Sequence, residues 1–323
     1  MRGYLHKSKL SVRQPLAESF FYLPFLVFGL CLSLTFRIMA QPTLQVEGSI
    51  DRMADFKSKF VSSRHVDVWL PTDYHANTQQ RYAVIYMQDG QNLFSPETAY
   101  GGMEWQADET TARLIREKKI KPCIIVGIWN SHKRFTEYLP KQPFELLDPD
   151  YQIKLRQERI PDGEVLSDNY LKFVVKELKP HIDRHYRTLS DRANTVIAGS
   201  SMGGLISLYA LCQYPKVFGA AACFSTHWPA SLKENSPNLT NAYLQYLQKR
   251  LPKPKHHKLY FDYGTETLDA WYEDHQLAVD AFLKDKGYFP DFCMSKKFEG
   301  AAHNEQAWQQ RFHIPLLFLL PSK

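Results

Sequence analysis

The segment Gly199-Ser200-Ser201-Met202-Gly203 sets a serine between two glycines, after the apolar run Thr195-Val-Ile-Ala and before a second apolar stretch. A Gly-x-Ser-x-Gly pentad between a strand and a helix is the arrangement that lifts a serine hydroxyl above a sheet. The turn is too sharp to admit side chains beside the serine, whose own backbone must be strained, and this is why glycine stands on either side. Gly204 allows the following helix to approach closely. Ser201 is therefore the candidate nucleophile. Ser200 occupies the variable place of the pentad and is expected to point away from the site.

A serine hydroxyl is a weak nucleophile unless a histidine takes its proton, and the histidine needs an acid to hold its tautomer. In a sheet of this kind the order along the chain is serine, acid, histidine. Downstream of Ser201 stand His227, His256, His257, His275, His303 and His313. His303 follows the last strand pattern, in Phe298-Glu-Gly-Ala-Ala-His-Asn-Glu305, where a loop crosses the top of the sheet, and it is the candidate base. His256 and His257 precede a strand, His275 and His313 lie in helical patterns, and His227 follows a strand and could line a pocket. The acid belongs in the loop Gly264-Thr-Glu-Thr-Leu-Asp269, where both Asp269 and Glu266 are within reach and Asp262 is a remote third. Asp269 could equally cap the helix that follows, a role aspartate fills well.

An oxyanion forming on an attacked carbonyl needs two backbone N–H donors, one from the residue after the nucleophile and one from an early strand-to-helix loop. Met202 stands at the first position. Gln91, in Tyr86-Met-Gln-Asp-Gly-Gln-Asn-Leu-Phe94, is the candidate for the second.

The elements that must position these groups are legible as an alternation of short β-branched runs with longer amphipathic stretches. Strands are predicted at 64–70, 82–87, 123–128, 195–198, 220–225, 258–263 and 292–298, and helices at 108–117, 169–186, 202–213, 239–250, 272–286 and 304–320. This is the pattern of an α/β fold, a mostly parallel central sheet with helices on both faces, forming one domain over residues 41–323. Residues 133–168 are the least regular, with Pro140, Pro143, Pro149 and Pro161, and read as loops around the substrate pocket.

The segments Asp-Gly-Gln-Asn-Leu-Phe94, Gly-Met-Glu-Trp105, Gly-Ser-Ser-Met-Gly-Gly204 and Gly-Ala-Ala-His303 together resemble the Putative esterase family. That family includes esterase D, enterochelin-esterase-like hydrolases, feruloyl and acetylxylan esterases and the mycolyltransferases. The resemblance spans residues 45–320 and implies an α/β-hydrolase fold. It also implies a triad of Ser201, Asp269 or Glu266, and His303, with Gln91 and Met202 as oxyanion donors. Many relatives carry an acidic residue three or four positions after the glycine of the acid loop. Here those positions are Thr267 and Leu268, so the choice between Asp269 and Glu266 stays open.

Composition narrows the partners. The formal net charge is +6, but Arg2, Lys7, Lys9, Arg13 and Arg37 against Glu18 put +4 in the first forty residues, leaving 35 basic and 33 acidic residues elsewhere. So even a balance gives no basic stripe for nucleic acid. Residues 1–40 read as a signal peptide or an N-terminal anchor: a basic stretch, the apolar run 20–36, then Ile38 and Ala40 at a cleavage site before Gln41-Pro42. The expected location is periplasmic or secreted, with a membrane partner only if the segment stays uncleaved. Cys123, Cys212, Cys223 and Cys293 fall in apolar patterns without metal-ligand spacing and read as buried thiols.

The predicted activity is hydrolysis of a carboxylic ester through an acyl-enzyme, without metal or cofactor, on a small-molecule or carbohydrate ester. An acyltransferase would use the same triad, and an inactive exported binding protein would keep only the scaffold. Trp105, Trp129, Tyr138, Trp228 and Trp308 are candidates for an aromatic pocket, though each is equally at home in a core.

Overall fold

The computed structural model describes residues 46–160 and 163–322, so the reading of residues 1–40 and Pro161 lie outside the described residues. Eight strands form one sheet: β1 (Ser49–Phe56), β2 (Arg64–Leu70), β3 (Ala83–Gln88), β4 (Cys123–Ile128), β5 (Thr195–Ser200), β6 (Ala220–Phe224), β7 (Lys258–Gly264) and β8 (Cys293–Phe298). Their order is β1-β2-β4-β3-β5-β6-β7-β8. β1 and β2 run antiparallel to their neighbours, whereas β4, β3, β5, β6, β7 and β8 are parallel.

The central strands are buried along their whole length because helices cover both faces, which is why they read as continuous apolar runs. Alternate residues serve opposite cores. In β3, Val84 and Tyr86 join one core while Ala83, Ile85 and Met87 join the other. Strand β1 escaped the sequence reading. As an edge strand it carries charged residues among half-buried ones, a weaker signal than an apolar run.

The helices are α1 (Ala107–Arg116), α2 (Arg134–Tyr138), α3 (Lys141–Glu145), α4 (Pro149–Arg159), α5 (Ser167–Phe173), α6 (Lys179–His185), α7 (Met202–Gln213), α8 (Asn238–Arg250), α9 (Glu273–Asp285), α10 (Glu305–Arg311) and α11 (His313–Leu319). Helices α1, α10 and α11 cover one face through Leu114, Trp308 and Leu316. The rest meet the other face, with α7 buried almost throughout.

One expectation is corrected and two predicted helices gain detail. Residues 133–168 are not a run of loops but contain α2, α3 and α4. Pro140, Pro143 and Pro149 sit in or beside first helical turns, where the missing N–H costs little; Pro149 opens α4 behind Asp148, whose carboxylate caps Asp150 and Tyr151. The helix predicted at 169–186 is α5 and α6 joined by a wide π-type segment, Val174–Leu178, just before Pro180, which cannot bond back to the preceding turn. The helix predicted at 304–320 breaks at Phe312 into α10 and α11, with Pro315 in the first turn of the second.

Candidate active site

The carboxyl ends of β3, β5, β7 and β8 open on one side of the sheet, where side chains on the following loops can converge. At the end of β5, Ser201 has φ 58° and ψ −122°, a conformation that non-glycine residues rarely adopt and that tertiary contacts must hold. Its N–H donates to Phe224 O at 2.9 Å, and its carbonyl accepts from Gly204 N at 3.0 Å. Gly199 and Gly204 are required by contact. A Cβ on Gly199 would lie 2.7 Å from Gln88 Cγ, and one on Gly204 would lie 2.7 Å from Thr226 Oγ1. The close approach at Gly204 is thus to the loop after β6.

Asp269 lies in a tight turn, Thr267–Trp271, after β7. Its carboxylate is fully buried, and Oδ1 stands 2.5 Å from His303 Nδ1. Oδ2 accepts from Gly264 N and from Ser225 Oγ, both at 2.6 Å. Asp269 therefore does not cap the helix that follows. Glu266 is exposed and marks the start of the turn. Thr267 Oγ1 accepts from His303 N at 2.9 Å, so the acid turn also holds the histidine loop by its backbone. The imidazole stands edge-on to Tyr272 and Trp308 at 5.7 and 5.0 Å between ring centres.

Ser201 and His303 open on one cavity of about 410 Å³. Its walls are Asp89, Gln91, Asn92, Tyr100, Asn130, Arg134, Ser200, Glu305 and Trp308. Ser200, the last residue of β5, also borders the cavity beside Ser201. Gln91 lies in a helical turn, Gly90–Asn92, and its side-chain Oε1 accepts from Asn130 N at 3.2 Å. Met202 is the first residue of α7, where a backbone N–H has no carbonyl one turn back to bond. A Cβ on Gly90 would lie 2.4 Å from Gly127 C, which explains the glycine beside Gln91.

The Putative esterase family model matches residues 58–318. The chain belongs to the Putative esterase family. The esterase is 28% identical over 236 residues to ferri-bacillibactin esterase BesA of Bacillus subtilis (strain 168), a match covering 69% of this chain and 73% of that one. A solved ferulic acid esterase superposes with a TM-score of 0.60 at 19% identity, covering 84% of this chain and 98% of that one. The enterobactin esterase of Shigella flexneri gives 0.60 at 16% identity, covering 84% and 59% respectively. Likeness at those identities establishes the fold, an α/β-hydrolase, while family membership makes the protein a carboxylic ester hydrolase.

One polar wall of the esterase's cavity was missed by sequence reasoning. Arg134 grips Asp89 with Nε and Nη2 at 2.7 and 2.8 Å, and Asn130 Nδ2 donates to the same carboxylate at 2.7 Å. Burial works against the Arg134 charge, but Asp89 outweighs it and the guanidinium is held above its ordinary range. The only early signal was the position of Asp89 beside the Gln91 turn, since its partner lies 45 residues further along the chain. Glu305 faces the same space; burial raises its carboxyl, Asp89 adds to this, and His303 and Arg134 oppose it.

Of the aromatic candidates only Trp308 borders the cavity of the esterase. Trp105 stacks on it from the core side at 5.4 Å; Tyr138 and Trp228 are core residues, and Trp129 donates to Asp67 near the sheet edge. His227 is also corrected: it is buried beneath the site instead of lining it, with Nδ1 2.8 Å from Tyr272 OH. Burial, and then the charge of His303, hold it well below the ordinary histidine range. His257 bonds backbone carbonyls, and His275 bonds Thr240 and Asn235. The four cysteines 123, 212, 223 and 293 are buried and free.

Proposed function

We propose that this esterase works through an acyl-enzyme on Ser201, with His303 as general base and acid and Asp269 as the group that orients and charges-balances the imidazole. The observation that carries the reading is the junction of a strained serine elbow with a histidine whose Nδ1 is tied to a buried carboxylate, both opening on one cavity. With Nδ1 committed to Asp269, Nε2 is the nitrogen left to take the serine proton.

In this mechanism Ser201 Oγ attacks the ester carbonyl while its proton passes to His303 Nε2. The tetrahedral oxyanion is received by the N–H groups of Gln91 and Met202. The imidazolium then gives its proton to the departing alcohol, leaving an acyl-serine. Water repeats the cycle, giving a proton to His303 and a hydroxyl to the acyl carbon, and the acid leaves with Ser201 restored.

The cavity suits a polar ester of moderate size. Asp89, Asn92, Asn130, Arg134 and Glu305 offer hydrogen bonds, whereas Tyr100 and Trp308 supply the aromatic surface, a lining better matched to a hydroxylated substrate than to a lipid chain. Export by residues 1–40 belongs to the same proposal, and the N-terminal residue of the protein recovered from the producing cell tests it. The mechanism is tested by an organophosphonate probe followed by peptide mass spectrometry. One equivalent on Ser201 with loss of p-nitrophenyl acetate hydrolysis is expected; a label on Ser200, or full activity after labelling of Ser201, overturns it.

A further inference from the structure

A carboxylate helps a catalytic imidazole only while it is ionised and aimed at the ring. Asp269 is fully buried, and burial by itself favours the protonated acid. The surroundings of Asp269 answer this in a specific way.

Ser225 Oγ donates to Asp269 Oδ2 at 2.6 Å. The same oxygen accepts from Arg311 Nη2 at 2.7 Å and from Trp308 Nε1 at 2.9 Å. A hydroxyl has one proton and two lone pairs, so all three are used and the proton has one direction to take, toward Asp269. Arg311 Nη2 also lies 2.9 Å from Asp262 Oδ1 and 3.7 Å from Asp269 Oδ2. Asp262 is closed off as well, accepting from Ser225 N at 3.1 Å and from Tyr260 OH at 2.8 Å.

Two fully buried carboxylates thus share one guanidinium, itself 2% exposed. The cluster carries one net negative charge at rest and none once His303 is protonated. We propose that Arg311 is a positioning residue: through Ser225 and by its charge it keeps Asp269 ionised and turned toward His303, while Asp262 anchors Arg311. This rests on the triad reading above.

The ionisable groups facing the cluster are His303 after β8, Arg311 on α10, Tyr260 on β7, Tyr272 ahead of α9 and Cys223 on β6. Burial pushes Asp262 up to about 6 against the pull of Arg311, Tyr260 and the Ser225 N–H, so the balance of charge is tight even with the arginine in place. Without it, two adjacent buried carboxylates must share a proton.

The test is the pH profile of kcat/KM on p-nitrophenyl acetate. Arg311→Met should move the acid limb upward by about one pH unit or more, with KM little changed, because two buried carboxylates are then left without the guanidinium they share. Arg311→Met with Asp262→Asn should bring the limb back toward the parent's, since one of the competing carboxylates is gone. A uniform loss of rate at every pH, not relieved in the double variant, overturns the proposal as mere structural damage.

If Arg311→Met alone does not fold, Ser225→Ala supplies the second measurement: it keeps every charge but cuts the relay, and kcat should fall by roughly tenfold at constant KM. Ser225→Ala at the parent's rate overturns the relay. Asp269→Asn separates the two levels. If it is as active as the parent, the triad reading falls and this inference with it; if it is crippled while Arg311→Met leaves the profile unshifted, only the role of Arg311 falls.

Discussion

His303 Nδ1 meets Asp269 Oδ1 at 2.5 Å, and Thr267, two residues before that aspartate, accepts from the His303 backbone N–H at 2.9 Å. One turn after β7 therefore holds both ends of the histidine. Glu266, in the same turn, is exposed and offers no competing contact to the ring.

From this pairing Asp269→Asn is expected to lower kcat by roughly three to four orders of magnitude with KM little changed, the loss seen when a triad acid can no longer hold the histidine tautomer. Glu266→Gln should stay within about twofold of the parent, as a substitution on an exposed loop does. Steady-state kinetics of both variants on one activated ester decide the matter; a crippled Glu266→Gln reverses the assignment, and two unimpaired variants indicate a Ser201-His303 dyad.

The positive φ of Ser201 makes a stability prediction independent of activity. Ser201→Ala keeps the strain and loses the nucleophile, so turnover should vanish with stability near that of the parent. Ser201→Gly relieves the strain, worth about 1 to 3 kcal/mol, less the roughly 0.5 to 1 kcal/mol that glycine's extra freedom adds to the unfolded chain. Thermal unfolding should place Ser201→Gly above Ser201→Ala by about 1 kcal/mol, and equal midpoints would show that the elbow stores no strain.

Arg64 and Glu137 form a two-pronged ion pair at 2.7 and 2.9 Å, each side chain 1% exposed, joining the start of β2 to α2. Removing one partner leaves a buried charge, so Glu137→Leu should cost about 3 to 5 kcal/mol in urea denaturation. Arg64→Met with Glu137→Leu should recover most of that loss. A double variant as unstable as the single would mean that the Ser131 bond to Glu137, or local packing, dominates instead.

Asp108, at the start of α1, is fully buried with one oxygen accepting from Glu47 N at 3.1 Å. Burial, reinforced by Glu109, lifts its carboxyl to about 8 from an ordinary 3.8, and the same causes lift Glu104 to about 7. The folded protein holds these protons to higher pH than the unfolded chain does, so the stability these two groups contribute should be fully present below about pH 4 and be lost as pH rises toward 8. Each pH unit over which one such proton is retained costs about 1.4 kcal/mol. Asp108→Asn keeps the acceptor and removes the titration, and should be more stable than the parent at pH 9. Urea midpoints at acid and alkaline pH measure this, and parallel curves for the two proteins would disprove it.

Much of this was determined locally along the chain. The continuous apolar runs of β3 through β7 follow from burial on both faces, and the glycines of the elbow follow from a turn that leaves no room for Cβ. Those signals depend on near neighbours, so the sequence alone carried Ser201, the order of strands along the chain and the position of His303 after β8. Tertiary structure decided what depends on contacts distant in sequence. Asp269, and not Glu266, meets the imidazole because its side chain turns inward to Gly264, Ser225 and His303, an orientation set by one tight turn and the loop packed against it. Arg134 meets Asp89, and Arg311 meets Ser225 86 residues away, only because the sheet brings α2 and α10 to the same end. A charged residue in a polar stretch looks solvated until the fold supplies its partner, and no local pattern records which partner that will be.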